Sequence, residues 1–231
     1  MEAAEGLRTS YVRSVRAVFL KDWQSELRTR YAISALLMFV ITTISIILFS
    51  LGSEGAPADA LSGMLWVVIF FAAMSGLSRT FVMEEERGTT LTLQLLAQPS
   101  AIFFGKLLFN LVLITGLNAV AVALYAAFIN GFVIKTVSIF LASVILGSLG
   151  FASAATIIAA IIARANTRGT LYPVLSFPIL LPLLLTVIHA TQLASDGAPF
   201  SEALGEIQIL ISYIVVVTTA AYMLFDYIWK D

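Results

Sequence analysis

The sequence predicts an all-α membrane protein with six transmembrane helices and both termini in the cytoplasm. Three observations carry this prediction. Composition is the first: of 231 residues, 60% are hydrophobic and 12% charged, against roughly 45–50% and about 25% in an ordinary soluble domain. The second is a set of six apolar runs, near residues 31–51, 61–82, 107–129, 137–163, 171–191 and 207–228. Each is close to the roughly 20 residues a helix needs to cross about 30 Å of hydrocarbon. The runs are continuously apolar, whereas membrane barrel strands alternate over about 10 residues. The third is the distribution of Lys and Arg. Alternate sides hold 12 against 1, with Lys135 alone on the poorer side. The positive-inside rule then puts both termini and the segment after span two in the cytoplasm.

The elements follow in order. Residues 8–30 read as an amphipathic helix lying on the membrane. Val12, Val15, Phe19, Trp23 and Leu27 recur at three- and four-residue spacing, while Arg13, Arg16, Lys21 and Arg28 supply charge suited to anionic headgroups. The alternative is a solvated leader to the first span. Glu26 and Arg30 are spaced for an i,i+4 pair. The first 30 residues lack the short apolar core and cleavage site of a signal peptide, so none is expected there. The stretches 52–60 and 193–206 contain Gly, Pro and Ser, are acidic, and read as simple outer connections. No soluble domain or internal repeat is evident.

Between spans two and three lies the densest charge in the apolar region: FVMEEERGTTLTLQLLAQP, Phe81 to Pro99. Placing Glu84, Glu85, Glu86 and Arg87 in hydrocarbon would cost on the order of 10 kcal/mol. The cluster is therefore expected in water beyond span two. Thr89 or Thr90 could cap a short helix, with Leu91 and Leu95 on one face and Pro99 ending it. Thr90 to Leu95 also alternates as a strand would. A lone strand would have no ladder partner, so a helix is preferred, and its leucines need a cover: other loops, headgroups or a partner protein.

Charge inside the spans is scarce. Arg79 and Asp226 sit near inner ends, where a long side chain can snorkel to the headgroups. A proton- or sodium-coupled carrier is disfavoured. No G-x-x-x-x-G-K-[ST] loop surrounds Lys21, Lys106, Lys135 or Lys230, so any ATPase must be a separate subunit. The chain has no cysteine and one histidine, His189, which argues against a zinc enzyme or a histidine-dependent intramembrane protease. His189 falls at the outer end of span five; it is a candidate haem ligand, the plainer reading being an interfacial side chain. Pro173, Pro178 and Pro182 are expected to kink span five as a hinge or a static bend. Ser143, Gly147, Gly150 and Ala154 allow close packing of span four within the bundle, or against a second copy. Asn110 and Asn118 in span three are expected to hydrogen-bond between helices.

Two stretches carry a family resemblance. EEERGTTLTLQLLAQPSAIFFGKLL resembles the first cytoplasmic loop of six-span ABC-2-type permeases: an acidic cluster, Gly-Thr-Leu with leucines before a proline, then Gly-Lys opening the third span. RGTLYPVLSFPILLPLLL, Arg168 to Leu185, is similar to the fifth span of the haem exporter protein B family of cytochrome c maturation. The resemblance implies a single permease domain over 1–231, with an interfacial helix at 8–30 and a coupling loop at 84–99. It implies a non-catalytic subunit of the bacterial inner membrane. A separate ATP-binding cassette subunit would carry the ATP and haem would be the cargo, with no cofactor held firmly by this chain. The coupling role falls on Glu84, Glu85, Glu86, Arg87, Gly88, Thr89, Leu91, Leu95 and Leu96. The implied partners are that ATPase, a haem-handling membrane subunit, a periplasmic haem chaperone, the bilayer and a second copy of the chain, with no nucleic acid. The N-terminus is longer and more basic than the family pattern. An ABC-2 exporter of a lipid, drug or glycan, and a membrane scaffold without transport, are the alternative functions.

Overall fold

The computed structural model describes the backbone of residues 2–51, 56–77, 79–164 and 171–230. Side chains are described within 11–229, apart from 31–32, 52–55, 78–79 and 164–175. The described residues form helices α1 (Glu2–Thr29), α2 (Tyr31–Leu51), α3 (Ala58–Leu77), α4 (Arg79–Glu86), α5 (Thr90–Leu96), α6 (Pro99–Phe128), α7 (Val137–Arg164), α8 (Leu171–Asp196) and α9 (Leu204–Lys230). Six spans long and apolar enough to cross a membrane are present among them: α2, α3 with α4, α6, α7, α8 and α9. The chain is a multi-pass, all-helical membrane protein.

Span α7 is the most enclosed and packs against α6, α8 and α9, while α2 and α9 turn most of their surface outward. Small residues explain the centre. Gly147 lies against Trp66 and Val187, and Gly150 against Leu183, so the small face of α7 serves the bundle itself. Trp66 donates its ring N–H to Thr191 Oγ1 at 2.8 Å. Asn110 donates to Thr156 Oγ1 at 2.8 Å and accepts from Thr80 at 2.8 Å. Asn118 donates to Ser148 Oγ at 2.7 Å. These are the interhelical bonds expected of buried amides where no water competes.

Several boundaries differ from expectation. The third span begins at Pro99, not near 107. Pro99 both ends α5 and occupies the first turn of α6, where its missing N–H is no loss. At 30 residues, α6 is about 45 Å long, more than the roughly 30 Å of hydrocarbon it has to cross. Glu26 is buried, and its Oε1 accepts the Ile33 N–H at 2.9 Å; it satisfies the start of α2 instead of pairing with Arg30. That corner is tight, with Arg30 at φ 51°. On α1, only the middle of the expected apolar stripe packs: Val15, Phe19 and Trp23 are half-buried and Val12 and Leu27 remain exposed, while the buried residue is Val18, outside that stripe.

Helix α8 stays continuous through Pro178 and Pro182, both on its exposed side. The Tyr213 hydroxyl of α9 donates to Ile179 O at 2.9 Å in the same stretch. The side chain of Pro173 lies outside the described residues, as do those of Arg79 and of Arg168 to Leu175.

Candidate functional site

The α4–α5 segment sits at the end of the bundle that also holds α1, the start of α6 and the end of α9. Its backbone explains the E-R-G-T sequence. Gly88 has φ 65°, a left-handed geometry that glycine adopts without a Cβ penalty. The Gly88 N–H bonds Glu85 O at 3.1 Å and the Thr89 N–H bonds Glu84 O at 3.0 Å. This nested pair is the Schellman arrangement that terminates a helix and satisfies its last carbonyls. The chain then turns directly into α5.

Residues 90–96 are helical, so the alternating pattern did not produce a strand. Thr89 is the N-cap but makes no capping bond with its side chain. Its hydroxyl instead bonds Glu84 Oε2 at 2.6 Å. Two contacts seat α5: Leu93 packs against the core, and Gln94 Nε2 donates to Trp229 O at 2.5 Å. Beneath lies an aromatic group from three helices. Phe81 of α4 and Phe103 of α6 meet Phe225 of α9 at ring-centroid distances of 5.6 and 5.4 Å, and Phe81 meets Trp229 at 5.7 Å. On this seat α5 turns Leu91, Leu95 and Leu96 outward, 72%, 87% and 78% exposed.

The acidic cluster divides in two. Glu86 and Arg87 are exposed and Glu85 is half-buried. Glu84 is not in water: it is 6% exposed. Its Oε1 accepts from Lys106 at 3.1 Å and from Lys21, and its Oε2 from Thr89. Lys106, expected at the opening of the third span, is fully buried inside α6. Its ammonium donates to Asp22 Oδ2 at 3.0 Å, Thr80 O at 2.8 Å and Glu84 Oε1, and lies 4.9 Å from the centre of the Phe81 ring. Lys21 also pairs with Asp22 at 3.3 Å. A single buried charge would cost several kcal/mol; two cations and two carboxylates with their hydrogen bonds filled remove most of that penalty. Arg87 extends the contact to α1 by donating to Ser25 Oγ at 2.9 Å.

The sequence did not single out Asp22, Gln94 or Trp229 for this site, and Lys106 entered only as the Gly-Lys of the family resemblance. One signal existed: Lys106 is the lone charged residue between Arg87 and Lys135. Its neighbour explains the Gly-Lys pair. A Cβ on Gly105 would lie 2.7 Å from Val18 Cβ and 3.0 Å from Val15 O. Glycine thus lets α1 approach, and Lys106 reaches its acids from there.

His189 is far along α8 at the opposite end of the bundle. It is exposed, and its Nδ1 lies 2.9 Å from Glu206 Oε1 at the start of α9. The structure therefore brings the α4–α5 residues together, and separates them from His189 by the depth of the bundle.

A six-span helical bundle with an anchored, leucine-bearing helix between its second and third spans defines the class: a multi-pass, all-helical membrane protein. The particular family is given by comparison. The profile described as "CcmB protein" matches residues 13–225, nearly the whole chain, and the chain belongs to the CcmB family. Its broad role follows: a haem exporter permease of cytochrome c maturation, associated with ABC transporter components. No curated protein sequence matches the chain.

Proposed function

We propose that this chain is the non-catalytic permease subunit of an ATP-driven complex of the bacterial inner membrane, with a separate ATP-binding cassette subunit docking on α5. The observation that carries the proposal is the group of exposed leucines 91, 95 and 96 on a helix held firmly from beneath. An exposed apolar cluster on a fixed support fits a partner's groove. The absence of a phosphate loop from the sequence supports a separate ATPase. The 12-to-1 distribution of Lys and Arg supports a cytoplasmic position for this end.

In this reading Glu85, Glu86 and Arg87 form the polar rim of the docking surface, while Glu84 and Thr89 work from inside. Closure of the ATPase would push α5, and the aromatic group and α6 would carry that displacement into the spans. The output serves haem delivery through a haem-handling membrane subunit to a periplasmic chaperone. An ABC-2 exporter of a lipid, drug or glycan would share the coupling surface; the family favours haem.

At the outer end, Glu206 on Nδ1 of His189 leaves Nε2 available, the arrangement that orients metal-ligating histidines. We assign His189 as one contact for haem iron on the cargo.

Replacing Leu91, Leu95 and Leu96 together by serine tests the docking surface. Burying a leucine contributes about 2 kcal/mol, so losing three weakens docking by on the order of ten-thousandfold. The variant is expected to insert and fold, yet fail to co-purify with the ATPase. Undiminished co-purification removes the assignment.

A further inference from the structure

We propose that α1 is a moving part of the coupling element: the Lys106, Glu84, Asp22 and Lys21 cluster clamps it to α4 and α6, so that α1 and α5 travel as one body. This rests on the docking role proposed for α5. Lys106 is the positioning residue, acting through Glu84.

The hydrogen bonds support a clamp. The three donors of Lys106 have three acceptors, on α1 (Asp22), on α4 (Glu84) and on the α4 backbone (Thr80 O). The Glu84 carboxylate in turn joins three elements: Lys21 on α1, Lys106 on α6 and Thr89 at the start of α5. Displacement of α5 thus pulls on the same carboxylate that holds α1. Arg87 to Ser25 is a second tie across the same gap. The Val18–Gly105 contact fixes α1 to α6 one residue from Lys106.

The α1–α4 side is not sealed by apolar packing. A cavity of about 140 Å³ lies there, lined by Ser25, Glu26, Thr80, Met83, Arg87 and Phe109 among others. Charge therefore sets the register of α1 against α4. Buried ion clusters add little net stability over apolar side chains of similar volume. What four paired charges supply is a single permitted alignment, which a mechanical link requires.

The chain has no cysteine, so spin labels can be placed only where wanted. The test uses the complex with its ATPase in lipid. Val12→Cys with Gln98→Cys spans α1 and the junction after α5; Val12→Cys with Val137→Cys spans α1 and the far end of α7. All three sites are exposed. Between the nucleotide-free and nucleotide-trapped states, the first distance is expected to stay constant and the second to change. In the charge-neutral double variant Lys106→Met/Glu84→Gln, the first distance distribution is expected to broaden. ATP hydrolysis per docked ATPase is expected to fall on the order of tenfold.

A first distance that changes with nucleotide, or a second that does not, overturns the proposal. So does native hydrolysis in a double variant that still docks. Should the double variant not assemble, the two distances in the native background decide alone. An ATPase that never co-purifies with the native chain would instead sink the docking assignment, which keeps the two failures apart.

Discussion

Two glycines of one helix should respond in opposite directions to the same substitution. Gly105 and Gly116 both lie inside α6. Alanine is favoured over glycine in a helix interior by up to about 1 kcal/mol. At Gly116 a Cβ meets nothing within 4 Å, so Gly116→Ala should stabilise by a few tenths to about 1 kcal/mol. At Gly105 the added Cβ would lie 2.7 Å from Val18 Cβ, 2.8 Å from Val18 Cγ1 and 3.0 Å from Val15 O. Ordinary contact needs roughly 3.6 Å, so α1 must retreat by about 1 Å. Overpacking of that kind costs about 1–3 kcal/mol. The retreat also takes Lys106 and Asp22 from 3.0 Å to about 4 Å. That loses the hydrogen bond and, at an effective dielectric near 20, about 1 kcal/mol of attraction. The strain and lost pairing exceed the propensity gain, so Gly105→Ala should destabilise by about 1–3 kcal/mol. Denaturant unfolding of the purified protein in one detergent gives both signs. Limited proteolysis of α1 reports its release. Gly105→Ala as stable as the native chain, with α1 equally protected, refutes the clamp geometry.

Gly88→Ala should cost about 1 kcal/mol although the site has open space, because only the φ of 65° is at issue; chemical unfolding measures it, and an unchanged midpoint contradicts the Schellman turn. His189→Ala should leave insertion and ATPase co-purification intact while removing the absorption shift expected when haem is added to the native complex; an unchanged haem spectrum removes His189 as a ligand.

The spans were legible because each is a long, uninterrupted apolar run, and hydrocarbon leaves a single chain few other ways to satisfy its backbone. The buried amides were legible for the same reason: Asn110 and Asn118 have no water to turn to. The start of α6 was misread because Lys106 looks like a loop residue when its partners are invisible. Asp22 is 84 residues away and Glu84 is 22 away, and no local rule joins them. Insertion cost treats each charge as alone, so it put Glu84 in water; pairing inside the protein removes that premise. The strand-like pattern of Thr90 to Leu95 failed for another reason. Over six residues a period is weak, and here Gly88 and Pro99 bound the segment while Gln94 and Leu93 fix which face is down. Leu91, Leu95 and Leu96 stand among the residues on which the family resemblance placed the coupling role, and their outward direction could be known only once α9 supplied the seat.

The central claim is that the α5 leucines meet the ATPase. Photo-crosslinking side chains placed singly at Leu91, Leu95 and Leu96, with Ile46 and Phe49 on the exposed face of α2 as controls, test it most directly. The account predicts adducts with the ATP-binding subunit from the α5 positions and none from α2. Adducts absent from α5, or equal at both sites, would contradict it.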